Sequence, residues 1–204
     1  MIKTIVLDAD NVVFKKISPI IINQLQKLSG KSEKDVISIR KKYWEKTKIG
    51  IITEKENWLG SKKKGYEQGI FGELEIPKEK YPLFITQLKK SYKLNNGCIK
   101  FLNKLKSEKF KLYLFSNSSY YTIEKPYVIF KLNNYFEFAY FSHKMKLAKP
   151  DLNSFKLFIT RTKINPKESL FIDDKDKNLI VAKDLGFNIF KFTNPKDFNQ
   201  ILKK

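Results

Sequence analysis

The chain has little sulfur, little arginine and one histidine, and each shortage removes a class of function. Cys98 is the sole cysteine, so no intrachain disulfide forms, and a reducing cytoplasm is the expected compartment. A single histidine, His143, excludes a histidine-rich metal centre; it reads as a loop or partly buried residue. No apolar run approaches the ~20 residues of a transmembrane helix, so no membrane partner is expected. Aspartates interrupt MIKTIVLDAD where a signal peptide needs a longer apolar stretch and small residues. No internal repeat or low-complexity tract is present. Acidic residues are also scarce, 21 against 41 basic ones, for a formal net charge of +20.

That excess points first to a polyanion such as nucleic acid. Its composition argues for a blander origin. Only Arg40 and Arg161 are arginines, the other basic residues are lysines, and KKK at 62–64 is the single run of three. A solvated lysine surface is the favoured reading, with nucleic acid kept as a disfavoured partner. Such a surface still draws anionic ligands inward.

Hydrophobic residues make up 42% of the chain, enough for a packed core. Strand candidates at 2–8, 111–116, 136–142, 169–173 and 188–192 alternate with helical patterns after residue 94. That alternation predicts a parallel sheet with helical crossovers. Between the first two strands the pattern is helical only. Pro19, Ser32 and Thr53 mark starts there, the last before NWLGSKKKGYEQ, and Pro77 opens a helix through YPLFITQLKKSY. The expected organisation is an α/β core of residues 1–17 and 94–204 with a helical insert at 18–93. SYYTIEKPYVIF and PKDFNQILKK read as further helices.

Four expected strands end in polar groups: Asp8-Ala9-Asp10, Ser116-Asn117-Ser118, Lys149-Pro150 after a short loop, and Asp173-Asp174. Ligands of open parallel sheets bind at that edge. Taken singly, each group has an ordinary explanation. Two surface aspartates, a helix cap, a solvated lysine and an acidic N-cap would do. Four in order along one edge call for a common cause. Adjacent carboxylates repel unless a cation offsets them, and Mg²⁺ takes oxygen ligands. Lys149 and Ser116 suit an anion beside the metal. Metal, anion pocket and free carboxylate together spell phosphoryl transfer.

The order DxD, strand-Ser-Asn, Lys-Pro, DDxxxN resembles the haloacid dehalogenase superfamily of phosphohydrolases. LAKPDLNSF and LFIDDKDKNLIVAKDLGF resemble the subgroup with a helical cap after the first motif, and most closely its small sugar-phosphate phosphatases. The resemblance implies a three-layer Rossmann-like core with a small α-helical cap domain. It implies that Asp8 is the nucleophile, through an aspartyl-phosphate, and that Asp10 is the general acid and base. It implies Mg²⁺ on Asp8, the Asp10 carbonyl and Asp174, with Asp173 assisting. Ser116, Asn117 and Lys149 would hold the phosphoryl group, and Asn178 would orient the acidic loop. The implied substrate is a small sugar phosphate or nucleotide monophosphate. A phosphomutase of the same superfamily, or a non-catalytic nucleic-acid-binding protein, is the alternative. Monomer and homodimer stay open.

Asn11 departs from the glycine or threonine usual after the second acid. Asparagine tolerates left-handed backbone, so the turn is expected to survive. Trp44, Trp58, Tyr43 and Tyr66 are candidates for the insert's substrate face or, more ordinarily, its core. Asp151 and Asp176 read as helix-start or loop acids, and Cys98 as a small apolar residue.

Overall fold

In the computed structural model, which describes residues 1–202, the apolar runs become five parallel strands. They are β1 (Thr4–Leu7), β2 (Lys111–Ser116), β3 (Phe138–Phe141), β4 (Ser169–Asp173) and β5 (Asn188–Lys191). Their order is β3-β2-β1-β4-β5. Leu7 sits between Leu114 and Ile172, so the carboxyl ends of the three central strands are level. The order reverses between β1 and β4, which opens the crevice where ligands of such sheets bind.

Side chains alternate across the central strands. Ile5, Leu7, Leu112, Leu114 and Ile172 join one buried cluster; Val6, Tyr113, Phe115 and Phe171 join another on the opposite face. Both faces are therefore covered, which explains unbroken apolar strands.

Between β1 and β2 run α1 (Ser18–Ser29), α2 (Glu33–Thr47), α3 (Glu54–Leu59), α4 (Gly69–Glu73) and α5 (Tyr81–Lys90). They close on their own cluster, with Trp58 edge-on to Phe84 at 4.8 Å and Tyr43 buried in the same cluster. Ser32 caps α2 by accepting from Asp35 N–H, and Thr53 with Glu56 forms a full capping box at α3.

The helix expected through NWLGSKKKGYEQ starts in α3 but stops after Leu59. Gly60 takes φ 84° and ends α3, and a Cβ there would stand 2.3 Å from the Glu67 carbonyl oxygen. The glycines that let the chain double back here outweigh the helical pattern of the lysines. Nor does Pro77 open a long helix: a 3₁₀ turn at Lys78–Lys80 comes first, and Pro82 sits in the first turn of α5.

The core continues with α6 (Cys98–Ser107), α7 (Lys125–Ile129), α8 (Ser142–Met145), α9 (Leu152–Thr162), α10 (Asp176–Asp184) and α11 (Asp197–Ile201). The helix expected through SYYTIEKPYVIF forms as one run, π-helical over Tyr120–Glu124 and continuing directly into α7, with Pro126 in the first turn of α7. The short helix α8 replaces a simple loop before Lys149. Of the helix expected to close the chain, Lys203 and Lys204 lie outside the described residues. Among the described residues no helix is long and apolar enough to cross a membrane.

The chain leaves and re-enters the core side by side. Lys15 N–H donates to Lys93 O, Asn95 N–H to Val13 O, and Asn95 Nδ2 to the carbonyls of Asn11 and Val12 at 2.8 Å.

Cys98 is buried on α6, and burial pushes its thiol up to about 12 from the ordinary 9.0. At pH 8 that leaves about 10³-fold less thiolate than a free cysteine has. A disulfide reagent should therefore label the native protein only after denaturant is added. Prompt one-to-one labelling of the folded chain would contradict this placement.

Candidate active site

β1 ends in apolar Leu7, and Asp8 extends its pairing by one residue, its N–H donating to Ile172 O at 2.9 Å. The chain then turns sharply. Val13 and Phe14 N–H both reach back to Ala9 O, and Asn11 adopts φ 68°. Asparagine therefore holds the turn as expected. Because of this bend, Asp8 and Asp10 both line one cavity despite standing two residues apart on an alternating strand. Asn11 does more than turn: its Nδ2 donates to Asp174 Oδ2 at 3.2 Å, tying the first motif to the last.

Lys149 is fully buried, and its ammonium donates to Asp8 Oδ1 at 2.9 Å and Asp173 Oδ2 at 2.6 Å. The rings of Phe115 and Phe171 flank it at 5.1 and 5.2 Å. Its backbone is held from β2: Asn117 Nδ2 donates to Lys149 O and Asn117 Oδ1 accepts from Lys149 N–H. Asn117 thus spends its whole amide on aiming the lysine.

Asp173 is buried and saturated. It accepts from Lys149, from Lys175 N–H and, on both oxygens, from Asn178 Nδ2. Asp174 is less so: its Oδ1 has no hydrogen bond and lies 3.7 Å from Lys175 Nζ. Carboxylate oxygens of Asp8, Asp173 and Asp174 fall within 4.8 Å of one another.

Ser116, also fully buried, ends β2, with its hydroxyl donating to Asn117 O at 3.2 Å. The cavity wall at this strand end is formed by Asn117.

Electrostatics follow the burial. Burial pushes the Asp8 carboxyl up to about 7 against the pull of Lys149, and Asp173 adds to the rise. Burial raises Asp10 too, with Lys175 opposing and Asp174 reinforcing. Lys175 loses by burial but gains more from Asp8, Asp174, Asp10 and Asp173, which lift its pKa above the ordinary value.

Asp8 Oδ2, Asp10 Oδ1, Asp174 Oδ1 and Asn178 Oδ1 are buried without a hydrogen-bond partner among the described residues. Buried polar atoms are seldom left so. With Asp8 and Asp174 among them, and Asp173 alongside within 4.8 Å, the acid cluster fits a hard cation with oxygen ligands.

The cavity, about 430 Å³, lies between this strand edge and the helical segment. From α2 it receives Ile37, Arg40 and Trp44. Burial pulls the Arg40 guanidinium down to about 10, with Asp10 and Glu54 opposing. Of the four aromatics singled out, only Trp44 lines the cavity; Trp58 and Tyr43 are core, and Tyr66 packs against them. His143 is half-buried, between Ser118 Oγ and Glu124, and Asp151 caps α9. Asp176 begins α10 and pairs with Lys191. Lys175 and Arg40 are among the cavity residues that sequence reasoning did not single out. Arginine's rarity was the one available signal for Arg40.

A family model described as haloacid dehalogenase-like hydrolase matches residues 2–186. D-ribitol-5-phosphate phosphatase of Bacteroides thetaiotaomicron is 28% identical over 159 residues, which cover 72% of this chain and 60% of that protein. The chain thus spans about three fifths of that relative's length. Among solved structures, a HAD family enzyme of Bacteroides thetaiotaomicron superposes with TM-score 0.81 at 23% identity, over 100% of this chain and 99% of that one. A wild-type complex of a HAD family enzyme from the same organism, with magnesium and inorganic phosphate, gives 0.75 at 24% identity, over 98% and 99%. A predicted HAD-like family hydrolase of Porphyromonas gingivalis gives 0.74 at 19%, over 100% and 99%. These likenesses establish the fold.

Proposed function

The chain belongs to the haloacid dehalogenase-like hydrolase family, and from that premise we propose a Mg²⁺-dependent phosphomonoester hydrolase acting on a small sugar or polyol phosphate. One observation carries this reading. Asp8, Asp173 and Asp174 converge within 4.8 Å at a cavity, with buried oxygens unpartnered and Lys149 alongside. The named activity of the Bacteroides relative, and the magnesium and phosphate in a neighbour of the same fold, support the substrate class and the ion.

Asp8 attacks phosphorus through a carboxylate oxygen, forming an acyl-phosphate as the ester P–O bond breaks. Asp10, raised by burial and so readily protonated, gives its proton to the leaving oxygen. It then takes a proton from the water that attacks phosphorus, freeing phosphate and restoring Asp8. Lys149 and the Ser116 hydroxyl hold phosphoryl oxygens, with backbone N–H groups after β1 and β2. Asn117 and Asn178 act through their neighbours, by aiming Lys149 and Asp173. Asp8, the Asp10 carbonyl and Asp174 would hold Mg²⁺, with Asp173 in support. When bound, the ion supplies charge neutralisation on the phosphoryl oxygens. The helical segment 18–93 serves as the cap that selects substrate and excludes bulk water. The lone buried thiol fits a reducing cytoplasm.

Phosphate release should be measured across a panel of sugar and polyol phosphates with Mg²⁺ and with chelator. Chelation is expected to lower the rate by about 10³-fold. No release from any ester by folded, Mg²⁺-loaded protein would sink the reading.

A further inference from the structure

We propose that the substrate's leaving group carries a second oxyanion, a carboxylate or a further phosphate, and that Arg40 receives it. This rests on the phosphatase reading and narrows it. Arg40 stands on α2 in the cavity wall, half-buried, and its guanidinium makes no hydrogen bond or ion pair with any described residue. Its two acidic neighbours do not take it up. Glu54 spends one oxygen on Trp58 Nε1 at 3.2 Å and the other on Tyr121 N–H at 2.9 Å. Asp10 keeps a buried oxygen unpartnered. Five donors in a rigid fork are thus left for something in the cavity.

The surrounding charge agrees. Lys16 and Lys41 line the same wall without an ion pair among the described residues, while the wall's acid, Glu45, is taken by Lys48 at 2.5 Å. The unspent charge on this side is positive. A guanidinium fork matches a carboxylate or phosphate with two parallel bonds, which a hydroxyl cannot return. Arg40 comes from α2, across the cavity from the strand edge that carries Asp8, Asp10 and Lys149. In the proposed reaction that edge holds the transferred phosphoryl, so Arg40 faces the leaving group.

The test compares three esters of one carbon length: a pentitol phosphate, the matching pentonate phosphate and the pentitol bisphosphate. Wild type, Arg40→Gln and Arg40→Lys are each assayed for kcat and KM, with melting temperatures alongside. Wild type is expected to favour one charged ester over the neutral one by about 10- to 100-fold in kcat/KM. Arg40→Gln should bring that preference within about 3-fold, chiefly by losing the charged ester, and Arg40→Lys should fall between them. Whichever charged ester leads distinguishes carboxylate from phosphate. A wild-type preference for the neutral ester, or one unchanged in Arg40→Gln, overturns the inference. Should Arg40→Gln not fold, the wild-type preference and Arg40→Lys decide. Should no ester be hydrolysed, the phosphatase reading fails separately. Melting shifts given to Mg²⁺-loaded wild type by the non-hydrolysable phosphonates of the three esters then decide, and equal shifts overturn the inference.

Discussion

Asp8→Asn will fold and will release no measurable phosphate from any ester that the wild-type protein hydrolyses. The expected loss is on the order of 10⁴-fold or more, because the amide is no nucleophile and the reaction has no second route. Structure should not suffer. Asp8 makes one side-chain hydrogen bond, from Lys149, and its other oxygen has none. Lys149 keeps its shorter bond to Asp173. The native site already resists the charge on Asp8, since burial pushes its pKa up to about 7. In chelator at pH 8 the variant should therefore melt no lower than wild type. Asp10→Asn gives the informative contrast. It keeps the nucleophile and loses the proton donor, so about 10²- to 10⁴-fold is expected for a polyol phosphate. The loss should be much smaller for p-nitrophenyl phosphate, whose leaving group needs no proton. Equal losses on both esters would remove Asp10 from the acid role. Full activity of Asp8→Asn would remove the covalent mechanism altogether.

The acids of this site were legible in sequence because each closes an apolar strand. A strand end in a parallel sheet has one place to be, so Asp8, Asp173 and Asp174 could be brought together before any coordinate was known. The bend after Asp8 was expected from the resemblance, and Asn11, which tolerates a positive φ, lets it stand. Arg40 was not. Its position depends on how α2 docks over the sheet edge, and that docking depends on contacts such as Glu54 with Tyr121 N–H and Ser142 Oγ with Lys48 O. Such contacts join residues far apart in sequence and leave no periodic trace. The break of α3 at Gly60 was missed for a different reason. KKK between glycines reads as helical surface, but Gly60 and Gly69 are packed backbone to backbone, which no local pattern reveals. Asn117 shows a third kind of gap: its motif was visible, while its service to the Lys149 backbone was not.

Lys149→Met should cost both activity and stability, and the two losses can be separated. The ammonium is wholly buried between two buried carboxylates, so its removal leaves acids without their nearest cation. Breaking such a pair from one side costs about 3–5 kcal/mol. For a chain of this size, each kcal/mol moves the melting temperature by about 2–4 °C, so a fall of roughly 6–20 °C is expected in chelator. Methionine fills much of the space between Phe115 and Phe171, so the loss reports charge more than cavity. Three measurements test that attribution. Saturating Mg²⁺ should shrink the stability loss, because the ion meets the same carboxylates. Adding Asp8→Asn to Lys149→Met should recover about 1–2 kcal/mol, since one stranded charge disappears while Asp173 keeps Asn178 and Lys175 N–H. Activity should stay lost with Mg²⁺ present, by about 10³-fold, because Lys149 also meets the phosphoryl group in the proposed reaction. If Lys149→Met melts like wild type in chelator, the lysine does not balance the acids. If activity returns with Mg²⁺, the lysine serves the metal-free fold and not the chemistry.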